Sequence, residues 1–382
     1  MAAAGAIFPD KTFIAYARPT RERLTLELIE ELAAAKRRVP AFAYSIVNAT
    51  PSNVEKKMAN LPNAVRVRML VPDLDLIPEK ASKSARYSFT KNIPSLTATA
   101  TQTASWLAEV MEAQVDGGAT VLLTPSLLLE NGHGEVELRR ILEWADTARS
   151  LRKVQAYPVV TGLVMGRDWL VKEEKRENLL NVLTEVPDPA FQITVHWPQM
   201  GSYSQVNDSD ALRGYREVVE VLEDDSREVI AARAGLAGWM LAACGAAAYS
   251  AGVYPSHIYK DSPTIRRSKG SHPPPRIPHY LDGKLLSYIP EARLAAVSAI
   301  SGPPNCSCPD CSVLAGGYQE PAAFRHLLRL HSRLAATLAS KTEPRVFARG
   351  KVLAAMSLIE NNPLQLPTFV TSHLDVWQDV LS

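Results

Sequence analysis

The sequence predicts an α/β chain, a (β/α)8 TIM barrel followed by a C-terminal helical appendage. Three observations carry this expectation. Strand-like and helical patterns alternate eight times between Thr12 and Gly252, the count that such a barrel requires. Runs such as Ala119-Thr120-Val121-Leu122-Leu123 are apolar without a break, as a parallel sheet covered on both faces demands. Cys306-Ser307-Cys308-Pro309-Asp310-Cys311 gathers three of the chain's four cysteines into one knuckle, and Cys-x-Cys-x-x-Cys is a spacing of metal-ligating thiolates. An open doubly wound sheet alternates in the same way, but its first turn is Gly-rich, whereas Ala17-Arg18-Pro19-Thr20 stands here.

Thr12–Ala17 reads as the first strand. The helix over 21–38 puts Leu24, Leu28, Leu32 and Ala35 on one face. Residues 41–47 form the second strand, and Ser52 suits the cap of a short helix. Residues 65–71 are the third strand and run into Pro72-Asp73-Leu74-Asp75. A helix over 100–114, a fourth strand over 119–124 and a helix over 135–151 follow. Strands five to eight are expected at 154–161, 191–197, 227–232 and 246–252, with helices near 173–183, 210–222 and 236–244. The eighth strand should pair in parallel with the first and close the barrel. Residues 1–255 are then the barrel and 256–382 the appendage. The appendage is read as a basic loop over 260–276, strand character over 279–286 with a turn at Asp282-Gly283, helices over 291–299, 321–340 and 349–360, and a polar C-terminal segment carrying Trp377.

Composition narrows the function classes. The chain has 382 residues, 46% of them hydrophobic, so it can bury a large core. Its 42 basic and 40 acidic residues give a formal net charge of +2, too little for a general polyanion-coating protein, so a nucleic-acid contact must come from a local patch. The small-residue stretch 234–253 carries Tyr249 and Ser250 and reads as buried core rather than a membrane span. Residues 1–10 lack a basic n-region and a long apolar h-region, so no secretory signal is expected. Clustered thiols without secretion suit a reducing, cytoplasmic setting.

Three clustered thiols cannot all pair with one another. Zn²⁺ takes four such ligands in a tetrahedron, so the expected set is Cys306, Cys308, Cys311 and His331, with His326 on the same helix as the alternative fourth ligand. A closed site of this kind is structural.

In a TIM barrel, function collects where strands end. Asp73 and Asp75 follow the third strand and, at i and i+2, share a side, as a pair of catalytic carboxylates must; a turn or cap role competes. His196 and Trp197 end the sixth strand, where an imidazole can ligate or move a proton and an indole can stack a base; a packed rim competes. Arg167 and Asp168 follow the fifth strand, where an arginine can clamp a phosphate; a surface ion pair competes. Arg233 precedes a helix N-terminus after the seventh strand, an anion site in outline. With Tyr249, Ser250 and Gly252 at the end of the eighth strand, it makes the expected ligand-binding corner. Cys244 reads as a small core residue. Arg266, Arg267, Lys269 and Arg276 in the basic loop suit a phosphate backbone, a solvated loop being the alternative.

The eight alternations, the cysteine knuckle and Phe324-Arg325-His326-Leu327-Leu328 on the following helix together resemble the tRNA-guanine transglycosylase family. The resemblance implies a zinc-containing TIM barrel, a glycosyltransferase that exchanges a guanine of tRNA for a deazaguanine. The chain departs from that pattern in three places. Thr337 stands at the spacing of the family's zinc histidine. Thr124-Pro125-Ser126-Leu127 occupies the run of the family's acid/base aspartate. In Gly245-Ala246-Ala247-Ala248-Tyr249-Ser250, Ser250 holds the place of the catalytic, nucleophilic aspartate. A serine without an activating base is a poor substitute for a carboxylate at an anomeric carbon. The expectation is a diverged relative that binds tRNA, DNA or a nucleobase-bearing ligand without base exchange. The alternatives are a non-catalytic partner subunit, scaffold or homodimer of the same fold, and a TIM-barrel enzyme acting on a small phosphorylated substrate.

Overall fold

The computed structural model describes residues 6–8, 11–19, 22–35, 37–46, 49–74, 87–197, 204–253, 260–261, 279–301, 308–363 and 371–382. The first part of the chain alternates strands with helices. These are β1 (Thr12–Ala17), α1 (Arg23–Ala34), β2 (Ala41–Ser45), α2 (Pro51–Ala59), β3 (Arg68–Val71), α3 (Ala100–Asp116), β4 (Leu122–Leu123), β5 (Leu128–Leu129), α4 (Glu135–Ser150) and β6 (Val159–Gly166). Then come α5 (Asp168–Val171), α6 (Glu173–Glu185), β7 (Ala190–Trp197), α7 (Ser209–Asp224), β8 (Glu228–Ala232), α8 (Gly235–Ala243), β9 (Ala248–Ala251) and β10 (Lys260–Asp261).

The strands build one curled, parallel sheet in the order β3-β2-β1-β9-β8-β7-β6-β4, with β5 beside β6 and β10 beside β7. β9 lies parallel to β1, Thr12 opposite Ala248, as the sequence leads one to expect. A parallel bridge joins Met69 of β3 to Val121, just before β4, and the Thr120 N–H donates to the Arg68 carbonyl at 2.9 Å.

Side-chain alternation along the strands explains the curl. Ile14, Tyr16, Ala41, Ala43, Met69, Val71, Leu123, Val160, Ala190, Ile230 and Ala248 cluster on the concave face. Their neighbours Phe13, Phe191, Ile193 and Tyr249 pack into one helix layer, and Phe42, Tyr44 and Leu70 into another. Alanines on the inside leave room for a tight curve. Both faces are buried, which is why the strands read as unbroken apolar runs. Gly162 marks a close approach: a Cβ there would lie 2.5 Å from the Thr124 carbonyl oxygen.

Several boundaries differ from expectation. α2 begins at Pro51 with Thr50 as its cap residue, because proline fits the first helical position. β6 starts only at Val159, since residues 151–157 close turns, Gln155 N–H to Leu151 O at 3.2 Å and Tyr157 N–H to Val154 O at 2.9 Å.

The C-terminal part holds an antiparallel hairpin of β11 (His279–Asp282) and β12 (Ser287–Pro290), then α9 (Leu294–Ser301), α10 (Pro309–Ala315), α11 (Glu320–Ala339), α12 (Pro344–Glu360) and α13 (His373–Val380). Asp282 shapes the hairpin turn by accepting the N–H groups of Lys284 and Leu285. Phe324, Leu327, Leu328, Leu334 and Leu338 of α11 share one core with Phe13, Trp239 and Tyr249, so α11 covers the outer face of β1 and β9. α13 is an addition to the expected elements; its Trp377 is fully buried and donates to the Val206 carbonyl at 2.9 Å. Among the described residues, no helix is long and apolar enough to cross a membrane.

Candidate functional site

Cys308 precedes α10, Cys311 lies in its first turn, and His326 faces both from α11. The sulfurs are 3.5 Å apart, and His326 Nδ1 lies 3.5 Å from Cys308 Sγ and 3.3 Å from Cys311 Sγ. His326 Nε2 is 2.9 Å from the Leu281 carbonyl, an acceptor only, so that nitrogen carries the proton. The Nδ1 lone pair is thereby left facing the two sulfurs, the arrangement that orients a ligating histidine. Cys311 and His326 are buried. This group can hold a metal ion.

The structure corrects the expected histidine. Five helical residues beyond His326, a side chain has turned by about 140°. His331 accordingly faces the sheet, its ring stacked on Phe13 at 5.1 Å and its Nδ1 3.3 Å from the Tyr249 hydroxyl. It is fully buried, and burial pulls its pKa down to about 3. Cys306 lies outside the described residues.

Behind the metal-type group, Asp310 is buried and accepts from Arg325 Nε at 3.0 Å and Arg329 Nε at 2.8 Å. Arg329 also reaches Glu31 of α1 at 2.5 Å, which ties the knuckle to the helix layer of the sheet.

The second assembly sits at the C-terminal ends of the strands. The Tyr16 hydroxyl donates to the Asp73 carboxylate. Burial, then the Asp73 charge, push the Tyr16 pKa up to about 12, so the phenol keeps its proton. Arg18 Nε donates to the Tyr16 oxygen at 3.3 Å, and the Arg233 guanidinium lies 5.3 Å from the Tyr16 ring centre. Asp73 and Arg233 have φ of 44° and 49°, a left-handed conformation that side chains adopt at a cost and that concentrates at functional sites. The Arg233 N–H donates to Ser250 Oγ at 2.6 Å. Two shallow adjoining recesses, of about 10 and 20 Å³, mark the floor of the strand ends here. Tyr16, Asp73, Arg233 and Ser250 line one; Asp73, Thr124, Ser126 and Gly162 line the other; Gln192 and Thr194 belong to both.

Of the residues singled out in the sequence, Asp73, Arg233 and Ser250 thus meet. His196 shares the parity of Gln192 and Thr194 along β7, and buried Gly252 follows β9. Two ligand candidates are corrected. Trp197 and Tyr249 have the opposite parity and are buried in the helix layer, away from the recesses. Asp75, Arg266, Arg267, Lys269 and Arg276 lie outside the described residues. Arg167 makes a two-pronged pair with Asp208, the cap of α7, rather than with Asp168. Cys244 is core, its thiol pushed up to about 11 by burial. Tyr16, Gln192 and Thr194 were missed, although stepping back by twos from His196 reaches both β7 residues.

No family model matches the sequence, and no curated protein matches it. Among solved structures, dihydrodipicolinate synthase from Oceanobacillus iheyensis is similar over 97% of this chain and 96% of that one, with 9% identity and a TM-score of 0.33. A likeness of that size carries nothing about substrate or chemistry.

Proposed function

We propose that the chain is a zinc-stabilised (β/α)8 barrel, similar in architecture to tRNA-guanine transglycosylases, that binds a nucleobase at its strand ends and does not exchange it. The observation that carries this reading is Asp73: a buried carboxylate, oriented by Tyr16 and shared by two recesses with Gln192, Thr194, Thr124 and Ser126. A carboxylate accepts two parallel N–H bonds, the donor pattern on the Watson–Crick edge of guanine, and amide and hydroxyl groups complete the readout. The Met69–Val121 bridge supports closure of the sheet into a barrel, with residues 256–382 as its appendage.

Two thiolates and an imidazole are a donor set suited to zinc, and a tetrahedral zinc with bonds of about 2.0–2.3 Å needs ligand–ligand edges of roughly 3.5–3.8 Å. The observed 3.5, 3.5 and 3.3 Å lie at the lower end of that range or just below it, so a small outward shift of the side chains admits the ion. Cys306 is the proposed fourth ligand. The metal would contribute folding energy and hold the knuckle closed. Absence of exchange is supported by Ser250, whose oxygen already accepts the Arg233 N–H.

The test is binding of guanine, and of tRNA, to zinc-replete protein. Guanine binding that drops at least about tenfold in Asp73→Asn is expected. Neither base nor nucleic-acid binding, or binding indifferent to Asp73, would sink the reading.

A further inference from the structure

A separate depression lies at the opposite end of the strands, where β1, β2 and β3 begin. Thr12 and Phe13 of β1, Ala41 of β2, and Val67 just before β3 form part of its wall. Ser332 and Ala335 of α11 form another part. Its volume is about 400 Å³, within the range of small-ligand pockets.

Its charge is one-sided. Arg37, Arg38 and Arg66 line it, and among the described residues no acidic one does. All three arginines are exposed, and among the described residues none of their side chains has an ion pair or hydrogen-bond partner. This contrasts with Arg68, two residues beyond Arg66, whose guanidinium is bonded to the Val65 and Met58 carbonyls. Three unneutralised guanidinium groups around one depression repel one another, and a bound anion relieves that repulsion. A second observation points the same way: among the described residues, the buried Ser332 hydroxyl oxygen has no hydrogen-bond partner. Between the arginines the lining is apolar, with Val39, Pro40, Ala41, Val67 and Ala335.

We infer that this depression binds a small phosphate ester, with the arginines on the phosphate and the flat or apolar body of the ligand against Val39, Pro40 and Val67. Guanidinium forks match phosphate oxygens two at a time, which makes arginine the side chain for this task. The arginines come from two different αβ loops, so the site depends on the folded sheet to bring them together. The inference stands independently of the reading of Asp73, which lies at the other end of the strands. A long nucleic-acid backbone is a different partner, and the apolar wall beside the arginines favours a small molecule with an apolar body.

The experiment titrates full-length, zinc-replete protein with inorganic phosphate and with a nucleoside monophosphate at constant ionic strength, read by calorimetry. The monophosphate should bind more tightly than inorganic phosphate, because it alone covers the apolar wall. Arg37→Gln combined with Arg66→Gln should weaken both by roughly ten- to a hundredfold, while Arg23→Gln, an exposed arginine on α1, should change neither. Identical affinities in the double variant and the wild type would overturn the assignment, as would heat indistinguishable from chloride at matched ionic strength. Salt-sensitive binding of a single-stranded RNA without any binding of the two small probes would also overturn it, in favour of a polyanion surface. The variants alter exposed side chains without described partners, so loss of fold does not confound the result.

Discussion

Ser250 accepts the backbone N–H of Arg233 across the ends of β9 and β8, at 2.6 Å. Arg233 is held there at φ 49°, with its guanidinium 5.3 Å from the Tyr16 ring centre. Ser250 therefore fixes the turn that aims Arg233 and is committed to a structural bond.

Ser250→Ala should accordingly act on stability. It leaves a buried N–H without its acceptor, which costs about 1–3 kcal/mol. Urea unfolding should show that loss, with guanine affinity changed by less than about threefold. Unchanged stability together with abolished binding would instead make Ser250 a ligand group.

The metal prediction separates two histidines of one helix. Purified protein should carry about one zinc per chain. His326→Ala should lose most of it and unfold at lower temperature, because metal-binding energy is also folding energy. His331→Phe should retain it, since that ring stacks on Phe13, away from the thiols. Zinc lost in His331→Phe and kept in His326→Ala would refute the ligand assignment.

The strand–helix alternation was legible because both faces of a parallel sheet are apolar and the helices keep their period. The same property hid the parity. On β7 and β9 both faces are buried, so hydrophobicity alone does not say that Gln192, Thr194 and Ser250 look inward while Trp197 and Tyr249 look outward. His326 and His331 posed the same problem on α11, where both are buried and only the packing fixes which one turns to the cysteines. α13 escaped notice because the partner of Trp377, Val206, is 171 residues away in sequence.

Two buried histidines set an acid limit on stability. Burial lowers His331 to about 3 and His373 to about 4, the latter offset in part by its bond to the Leu286 carbonyl. Their folded pKa values lie below the unfolded value of about 6.5, so below pH 6.5 the unfolded chain binds protons that the folded chain does not. Their contribution is complete above pH 6.5 and is lost as pH falls toward 4. Each adds a slope of about 1.4 kcal/mol per pH unit in that window. Urea unfolding at pH 7 and pH 5 should show the fall, and His331→Phe should remove about half of the histidine part. An identical pH dependence in that variant would show that His331 titrates normally.

The last prediction concerns the tie between the knuckle and the sheet. Asp310 and Arg329 are both buried, and Arg329 reaches on to Glu31 of α1. Removing one partner of a buried pair leaves the other charge desolvated, at about 3–5 kcal/mol, less whatever Glu31 still offsets. Arg325 contacts the same carboxylate from a more exposed position, its side chain 28% accessible. A pair of that kind contributes below about 1 kcal/mol. Asp310→Ala should therefore destabilise far more than Arg325→Ala. It should also speed zinc transfer to a competing chelator, because Asp310 sits in the turn between Cys308 and Cys311 and anchors it to α11. Equal losses in the two variants, with equal transfer rates, would mean that Asp310 makes only a surface contact and that the knuckle is held by its metal ligands alone.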